Sequence, residues 1–548
     1  MSKKDNRAEA ARLEDRRSFL IKTGIAGGVY ASAGLLPLGS VSYAKSGGTL
    51  SMLIQPEVPT LASYMSTSMP VGQAASKIYD GLLEYNFDLS PRPCLAESYN
   101  ISKDGKTITF KIRKGVTFHD GKPLTAEDAR YSIMEVLGQI HPRGKGNFSL
   151  ISSAEVPDSH TLVLKLSSPS PSMIMAFSGY ESPILPKHLF AGTDIKNHPN
   201  ANAPIGTGPF KFVEWKRGQF IRFDKNENYW SSGEPKIDRI VIRTIPDSST
   251  RSAVLEKGEA HIAGFGAVPY NDAARLAKLP SLEVTRQGYE MFSPIGELDF
   301  NTRVKPFDDK RVRQAISYAI DRKFISENVW FGFARPATGP ISSNFKASGL
   351  YTDQVKRYDV PDAMQRAENL LDDAGYPRKG GGQRMEITLD VTPYGEEWQR
   401  FGEYVVQRLA TLGIKATMRY EDVATWLKRT YTDFDFQVTA NWLNTFADPV
   451  LGVHRLYHSE EIRPGTVFKN AARWSSPRTD ELMNLAKVEP DPKKRAVYYH
   501  EFQKILTEEV PVAWCVEILF PTVTSKRFRK SIDSAIGLAG NFRSTESS

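Results

Sequence analysis

Side chains with chemical potential gather in few places along this chain. His454 and His458 stand four residues apart with Glu461 nearby, a spacing that on one helix face would offer a transition metal two imidazoles and a carboxylate. Nothing supplies the remaining ligands, so the pair reads as two surface or pocket-wall histidines and no metal is expected. The adjacent carboxylates Glu460-Glu461 and Asp308-Asp309 point to solvated or helix-capping roles, because an acid/base couple needs two carboxyls facing one substrate bond. Gly115 to Lys122 (GVTFHDGK) looks like a phosphate loop until it is counted. Five residues separate its glycines where four are needed, and Pro123 stands where Ser or Thr must bind magnesium. Gly206-Thr207-Gly208 lacks the third glycine of a dinucleotide turn, and neither G-x-S-x-G nor H-E-x-x-H occurs. Catalysis and cofactors are therefore not expected. One segment offers recognition instead of reaction: Asn441-Trp442-Leu443-Asn444-Thr445 joins a flat apolar indole to amides and a hydroxyl, a set suited to stacking on a sugar ring or a neutral polar backbone.

The elements that must carry such a segment are legible in the periodicity. Thr107 to Arg113 alternates, with Ile108, Phe110 and Ile112 on one side, and Thr161 to Leu166 and Ile237 to Ile245 repeat the strand signal. Asp104-Gly105 and Asp120-Gly121 mark turns. After Pro306, Asp308 and Asp309 offer caps to a helix whose stripe is Val312, Ala315, Ile316, Ala319, Ile320 and Phe324. A second stripe, Trp398, Phe401, Val405, Leu409 and Leu412, ends at Gly413, a natural left-handed cap before the strand-like Ile414 to Arg419. Arg378 to Gly382 reads as a flexible surface loop. Helix-then-strand order predicts a mixed α/β fold.

Composition places these elements in a soluble protein of 548 residues, 40% hydrophobic and 24% charged. The net charge of +8 does not mark a nucleic-acid binder: residues 1–44 hold seven Lys/Arg against four Asp/Glu, and the remaining excess is spread thinly. Cys94 and Cys515 are read as two buried thiols. At the N-terminus, Arg16-Arg17-Ser18-Phe19-Leu20-Ile21-Lys22 precedes a Gly/Ala-rich apolar run too broken to be a comfortable membrane span. This resembles a twin-arginine export signal, with cleavage expected after Ala44 and no cysteine near the site to carry a lipid.

Four blocks in order carry a wider resemblance: Leu95 to Asp128, which contains GVTFHDGKPLTAED; Pro204 to Phe210 (PIGTGPF) with Asn226 to Trp230 (NENYW); Phe300 to Arg322 with PFDDKRVRQAISYAIDR; and Leu370 to Pro377 (LLDDAGYP). Together they resemble the extracellular solute-binding proteins of family 5, which include dipeptide-, oligopeptide- and nickel-binding proteins. The resemblance implies a two-lobed periplasmic binding protein fold of type II, with an extra domain inserted in the first lobe and the ligand cleft between the lobes. Transferred by matching blocks, lobe I is expected to use 45–88, 205–302 and 510–548, the extra domain 89–204, and lobe II 303–509. It implies the periplasmic substrate-binding component of an ABC-type importer for a peptide or peptide-like solute. Its partners would be an inner-membrane permease, the ATPase subunits and the twin-arginine machinery, and it would act as a monomer. An opine, sugar conjugate or oligosaccharide is the alternative ligand, a nickel chelate a further one, and a periplasmic hydrolase the disfavoured different class.

In peptide-binding relatives a segment resembling Gly-Trp, followed three residues later by Asp, lines the second lobe, and that Asp grips the peptide's α-ammonium. Here Thr445 stands at the Asp position behind Asn444, so the anchor is missing, and Asp448 replaces it only if the loop is shifted. Trp426 and Tyr394 fall where relatives also contribute cleft residues. The expected ligand wall is therefore Trp442 first, then Asn441 and Asn444, with Thr445, Trp426, Tyr394 and Asp448.

Overall fold

Three sheets organise the chain, and the connections between them define the cleft. The computed structural model describes residues 47–548; the expected signal segment, 1–44, lies outside the described residues. The first sheet has seven strands, in the order Leu282–Thr285, Thr522–Ser525, Ile262–Gly264, Thr49–Ile54, Arg239–Thr244, Phe220–Lys225 and Phe210–Lys216. At its centre Thr49–Ile54 runs parallel to both neighbours. That strand is the apolar run TLSMLI, buried from Leu50 onward, as a parallel strand covered on both faces must be.

The second sheet has six strands: Ala334–Pro336, Val512–Ile518, Pro294–Phe300, Val438–Asn444, Met385–Val391 and Ile414–Arg419. Its last three are mutually parallel, while Pro294–Phe300 is antiparallel to both flanking strands. A third sheet of four antiparallel strands, Ala96–Ile101, Thr107–Ile112, Thr161–Leu166 and Ile151–Asp158, lies within the expected extra-domain segment.

Among the described residues the chain passes between the first and second sheets twice, through 286–293 and back through 519–521. Pro294–Phe300 and Val512–Ile518 therefore stand in the second sheet, whereas the transferred boundaries group them with the first lobe. Strands buried on both faces carry no mark of which sheet they join; pairing with Val438–Asn444 decides it.

Local readings correspond closely to the elements observed. The strand expected over 237–245 spans Arg239–Thr244, and both predicted Asp-Gly turns have their glycine left-handed. Gly413 is left-handed too, after the helix Glu396–Thr411 that buries Trp398, Phe401, Val405 and Leu409. Two expectations are corrected. The helix expected through Phe324 stops at Ala319 and resumes at Arg322–Phe324. There Asp321 caps the new turn, and the Arg322 guanidinium is drawn inward to the carbonyls of Ser317, Ile320 and Trp514, leaving Phe324 exposed. The loop around Arg378 is anchored, since Arg378 pairs with Glu368 and donates to the carbonyl of Thr411 at 2.8 Å.

Candidate functional site

In open α/β sheets the loops after the carboxyl ends of parallel strands line the ligand crevice. Met385–Val391, Ile414–Arg419 and Val438–Asn444 point the same way, so the segments following them, with Tyr394, Trp426 and Thr445, emerge along one edge of the second sheet. The first sheet presents Phe265 just beyond Ile262–Gly264. Its ring lies 4.8 Å from Phe520 in the return crossing, and Phe520 lies 5.8 Å edge-on to Trp442, which is stacked on Trp398 at 6.4 Å and 18°. An aromatic seam thus joins the two edges through the crossing segment, with Trp442 half-buried inside it.

The other expected wall residues separate. Strand alternation places Asn441 on the opposite face from Trp442. Asn441 is fully buried, donating to Asp299 Oδ2 (3.2 Å) and the Tyr431 hydroxyl (2.9 Å) while its Oδ1 accepts from the Trp442 amide (2.8 Å). The side-chain oxygen of Asn444 is buried without a partner. Thr445 donates its hydroxyl to the carbonyl of Ser293 at 2.9 Å, tying this strand to the outgoing crossing rather than facing a solute. Trp426 is buried, with Nε1 on Thr439 Oγ1 at 3.1 Å, and its ring meets Tyr431 and Tyr394 edge-on. Tyr394 is 39% exposed and is the accessible member of that group.

Asp448 does not take over the missing anchor. Both its oxygens accept from Arg495, at 2.7 and 2.8 Å, and Oδ1 also caps the turn Pro449–Gly452 through the Val450 amide. His454 and His458 likewise have separate partners. His454 Nε2 lies 2.9 Å from the Tyr499 hydroxyl, and burial holds this imidazole well below its usual pKa, hence neutral. His458 Nδ1 accepts from the Glu460 amide at 3.3 Å.

A cavity of about 820 Å³ opens beside this region, and its most charged residues carried no motif. One wall comes from 142–150 and 170–181, between and beyond the strands of the third sheet; the other comes from 446–469 with Asn484 and Lys487; Met291, in the outgoing crossing, also lines it. Arg143 is held by Glu181 at 2.9 and 2.5 Å on the first wall. On the second, Arg455 gives its two Nη groups to the carbonyls of Phe468 and Asn444, and its Nε has no partner. Both guanidiniums approach the Phe446 ring, with Cζ 5.5 Å (Arg143) and 5.3 Å (Arg455) from its centre, a cation–π arrangement. Phe446 has φ 53°, and Ser293 and Phe468 near it are also left-handed, strained for side-chain-bearing residues and of the kind that clusters at ligand sites.

Behind this wall Glu297 and Asp299 share one face of the central strand, fully buried; burial and their mutual repulsion raise Glu297 well above the carboxylate range, and burial raises Asp299. Burial lowers Arg455 to about 10, which leaves it charged at neutral pH. Sequence reasoning missed Arg143, Phe446 and Arg455 because only the packing of the two walls brings them together. The adjacent His454 was the nearest signal.

Comparison with known proteins decides the family. The model for bacterial extracellular solute-binding proteins, family 5, matches residues 90–463. The chain belongs to that family. A glutathione-binding protein of Salmonella choleraesuis is 29% identical over 468 residues, covering 82% of this chain and 85% of the relative. Heme-binding protein A of Haemophilus influenzae is 30% identical over 466 residues, covering 80% and 81%. Among solved structures, the binding protein AgaA of A. tumefaciens in complex with agropinic acid superposes with TM-score 0.68 at 28% identity, over 91% of this chain and 99% of that one. The protein has the two-lobed fold of this family and is the solute-binding component of an ABC-type importer. The family consists of binding proteins, not enzymes, that act with a membrane permease and its ATPase. No helix among the described residues is long and apolar enough to cross a membrane.

Proposed function

We propose that this protein captures a peptide-like small polar solute in the periplasm, closes its two lobes around it and delivers it chemically unchanged. The observation that carries this reading is the cavity itself: about 820 Å³ between two walls, with polar and aromatic lining, beside the segments that connect the sheets. That volume is within the range of small-molecule sites and suits a solute of two to four residues' bulk. The relative that binds glutathione, a small peptide, supports it. An opine is the second reading, favoured by the likeness to the agropinic acid complex.

Native mass spectrometry of gently purified protein, followed by thermal shift with glutathione, dipeptides and agropinic acid, tests the reading. A co-purified or added solute of this class should bind and be recovered intact. Loss of intact solute on incubation would mean a hydrolase, and no binding across the panel would remove the peptide-like assignment. Export is assigned to the twin-arginine route with cleavage after Ala44, the free protein acting as a monomer. Replacing Arg16 and Arg17 together by Lys should leave precursor in the cytoplasm, and normal processing of that variant would refute the route.

A further inference from the structure

We infer that the segment 532–542, seated on the buried side chain of Lys77, positions the cavity wall: it holds the outgoing crossing 286–293, and the crossing holds Thr445 and Phe446. Lys77 is thus a positioning residue for solute capture that acts through two layers of main chain. The inference goes beyond the reading above and holds whichever solute the cavity takes.

Lys77 follows the helix Met69–Ala75 and is fully buried. An amine removed from water is costly unless each of its donors finds an acceptor. Here three acceptors meet it: Nζ donates to the carbonyls of Leu538 (2.7 Å) and Gly540 and to Ser76 Oγ (3.2 Å). It also stands 3.8 Å from the centre of the Phe542 ring, and Ser76 Oγ donates to the same Gly540 carbonyl at 3.3 Å. The segment is therefore wrapped around one amine. Its far end is tied separately, Asn541 to Asp80 and Glu84 and Arg543 to Glu84, so the part that depends on Lys77 is 535–540.

From there contacts run without a gap to the cavity. The Ala535 carbonyl accepts from the Met291 amide at 3.0 Å. Gly537, with φ 54°, lies so close to the crossing that a Cβ on it would stand 2.6 Å from the Gly288 carbonyl oxygen and 2.8 Å from the Tyr289 ring, so only glycine fits. On its other side the crossing offers the carbonyl of Phe292 to the Phe446 amide (3.1 Å) and that of Ser293 to the Thr445 amide (3.2 Å) as well as to its hydroxyl. Met291 and Phe446 both line the cavity. Ser293 (φ 41°) and Phe446 (φ 53°) keep conformations that persist only where the surroundings over-determine them, and these bonds on both sides of the crossing do so. Every link is a main-chain bond or a close glycine contact, and close-packed links of that kind transmit a displacement instead of absorbing it.

The test is native-state hydrogen exchange of the purified full chain without added solute, read by mass spectrometry on peptides covering 288–293, 444–446 and 535–542, with Thr107–Ile112 of the third sheet as control. In Lys77→Met, which keeps the length of the stem but removes the donors, exchange in all three segments should quicken about tenfold, the worth of one buried hydrogen bond, while the control is unchanged. Gly537→Ala, which leaves Lys77 in place and presses a methyl on the crossing, should quicken 288–293 and 444–446 in the same way. In the unaltered protein the three segments should open together as denaturant rises, ahead of the control. Quickening confined to 535–542 in Lys77→Met would reduce Lys77 to a local anchor and overturn the inference, as would equal quickening of the control. Separate opening of 535–542 and 444–446 in the unaltered protein also overturns it, and that measurement decides the matter if either variant misfolds. None of these readouts involves a solute, so failure here leaves the solute-binding reading standing, and failure of the binding panel leaves this inference standing.

Discussion

Asp448→Asn separates a scaffold role from ligand capture. Asp448 and Arg495 face each other with side chains only 6% and 7% exposed, joined by two bonds of 2.7 and 2.8 Å. Asparagine keeps the volume and one carbonyl oxygen, so the cap on the Val450 amide survives, but the guanidinium of Arg495 is left buried without its counter-charge. Removing one partner of such a pair costs about 3–5 kcal/mol. For a fold of about 500 residues the melting entropy is near 1 kcal/mol per degree, so the melting temperature should fall by about 3–5 °C. Arg495→Met on top of Asp448→Asn should recover much of the loss, since the stranded charge goes with it. Calorimetric melting of the single and double variants measures this, and titration of whichever probe binds the wild type should give an affinity within about twofold in Asp448→Asn. A variant that melts normally yet loses binding tenfold would refute the reasoning and make Asp448 the anchor of a cationic group.

Trp442→Ala should weaken solute binding at least tenfold while the protein stays folded, because the indole bridges Trp398 and Phe520 across the crossing segment; calorimetry with a circular dichroism control checks it, and unchanged affinity would exclude Trp442 from closure. Asp299 binds its proton more tightly folded than unfolded, so its contribution to stability is greatest at low pH and is lost as pH climbs from the ordinary carboxylate range through its raised folded value. Each unit of that displacement is worth about 1.4 kcal/mol. Asp299→Asn should therefore gain stability over the wild type at pH 8 and much less at pH 4, as denaturant melts at the two pH values would show; an equal effect at both would contradict it. Cys94 and Cys515 are both buried and unpaired, with thiols pushed up by burial, so a thiol reagent should label neither in the native protein and both in denaturant.

How far the sequence reached depended on the distance over which each feature is decided. Alternation in Thr107–Ile112, the stripe from Trp398 to Leu409 and the left-handed Gly413 are set by neighbours a few residues away, and each is visible in order along the chain. The four ordered blocks sufficed for the family, because turns, caps and amphipathic faces are specified locally and their succession is the fold. The export signal expected at Arg16 and Arg17 is likewise a reading of contiguous residues. Only the tertiary structure decided which sheet takes Pro294–Phe300 and Val512–Ile518, since a strand buried on both faces pairs with whatever edge the fold presents. It decided that Asn441 lies beneath the wall, that Thr445 is tied to Ser293 and that Asp448 belongs to Arg495, because a polar side chain's availability depends on partners delivered by distant segments. For the same reason the meeting of Arg143, Phe446 and Arg455 has no signature in sequence. Their cluster exists only where segments far apart in the chain bring two guanidiniums within a few ångströms of one ring.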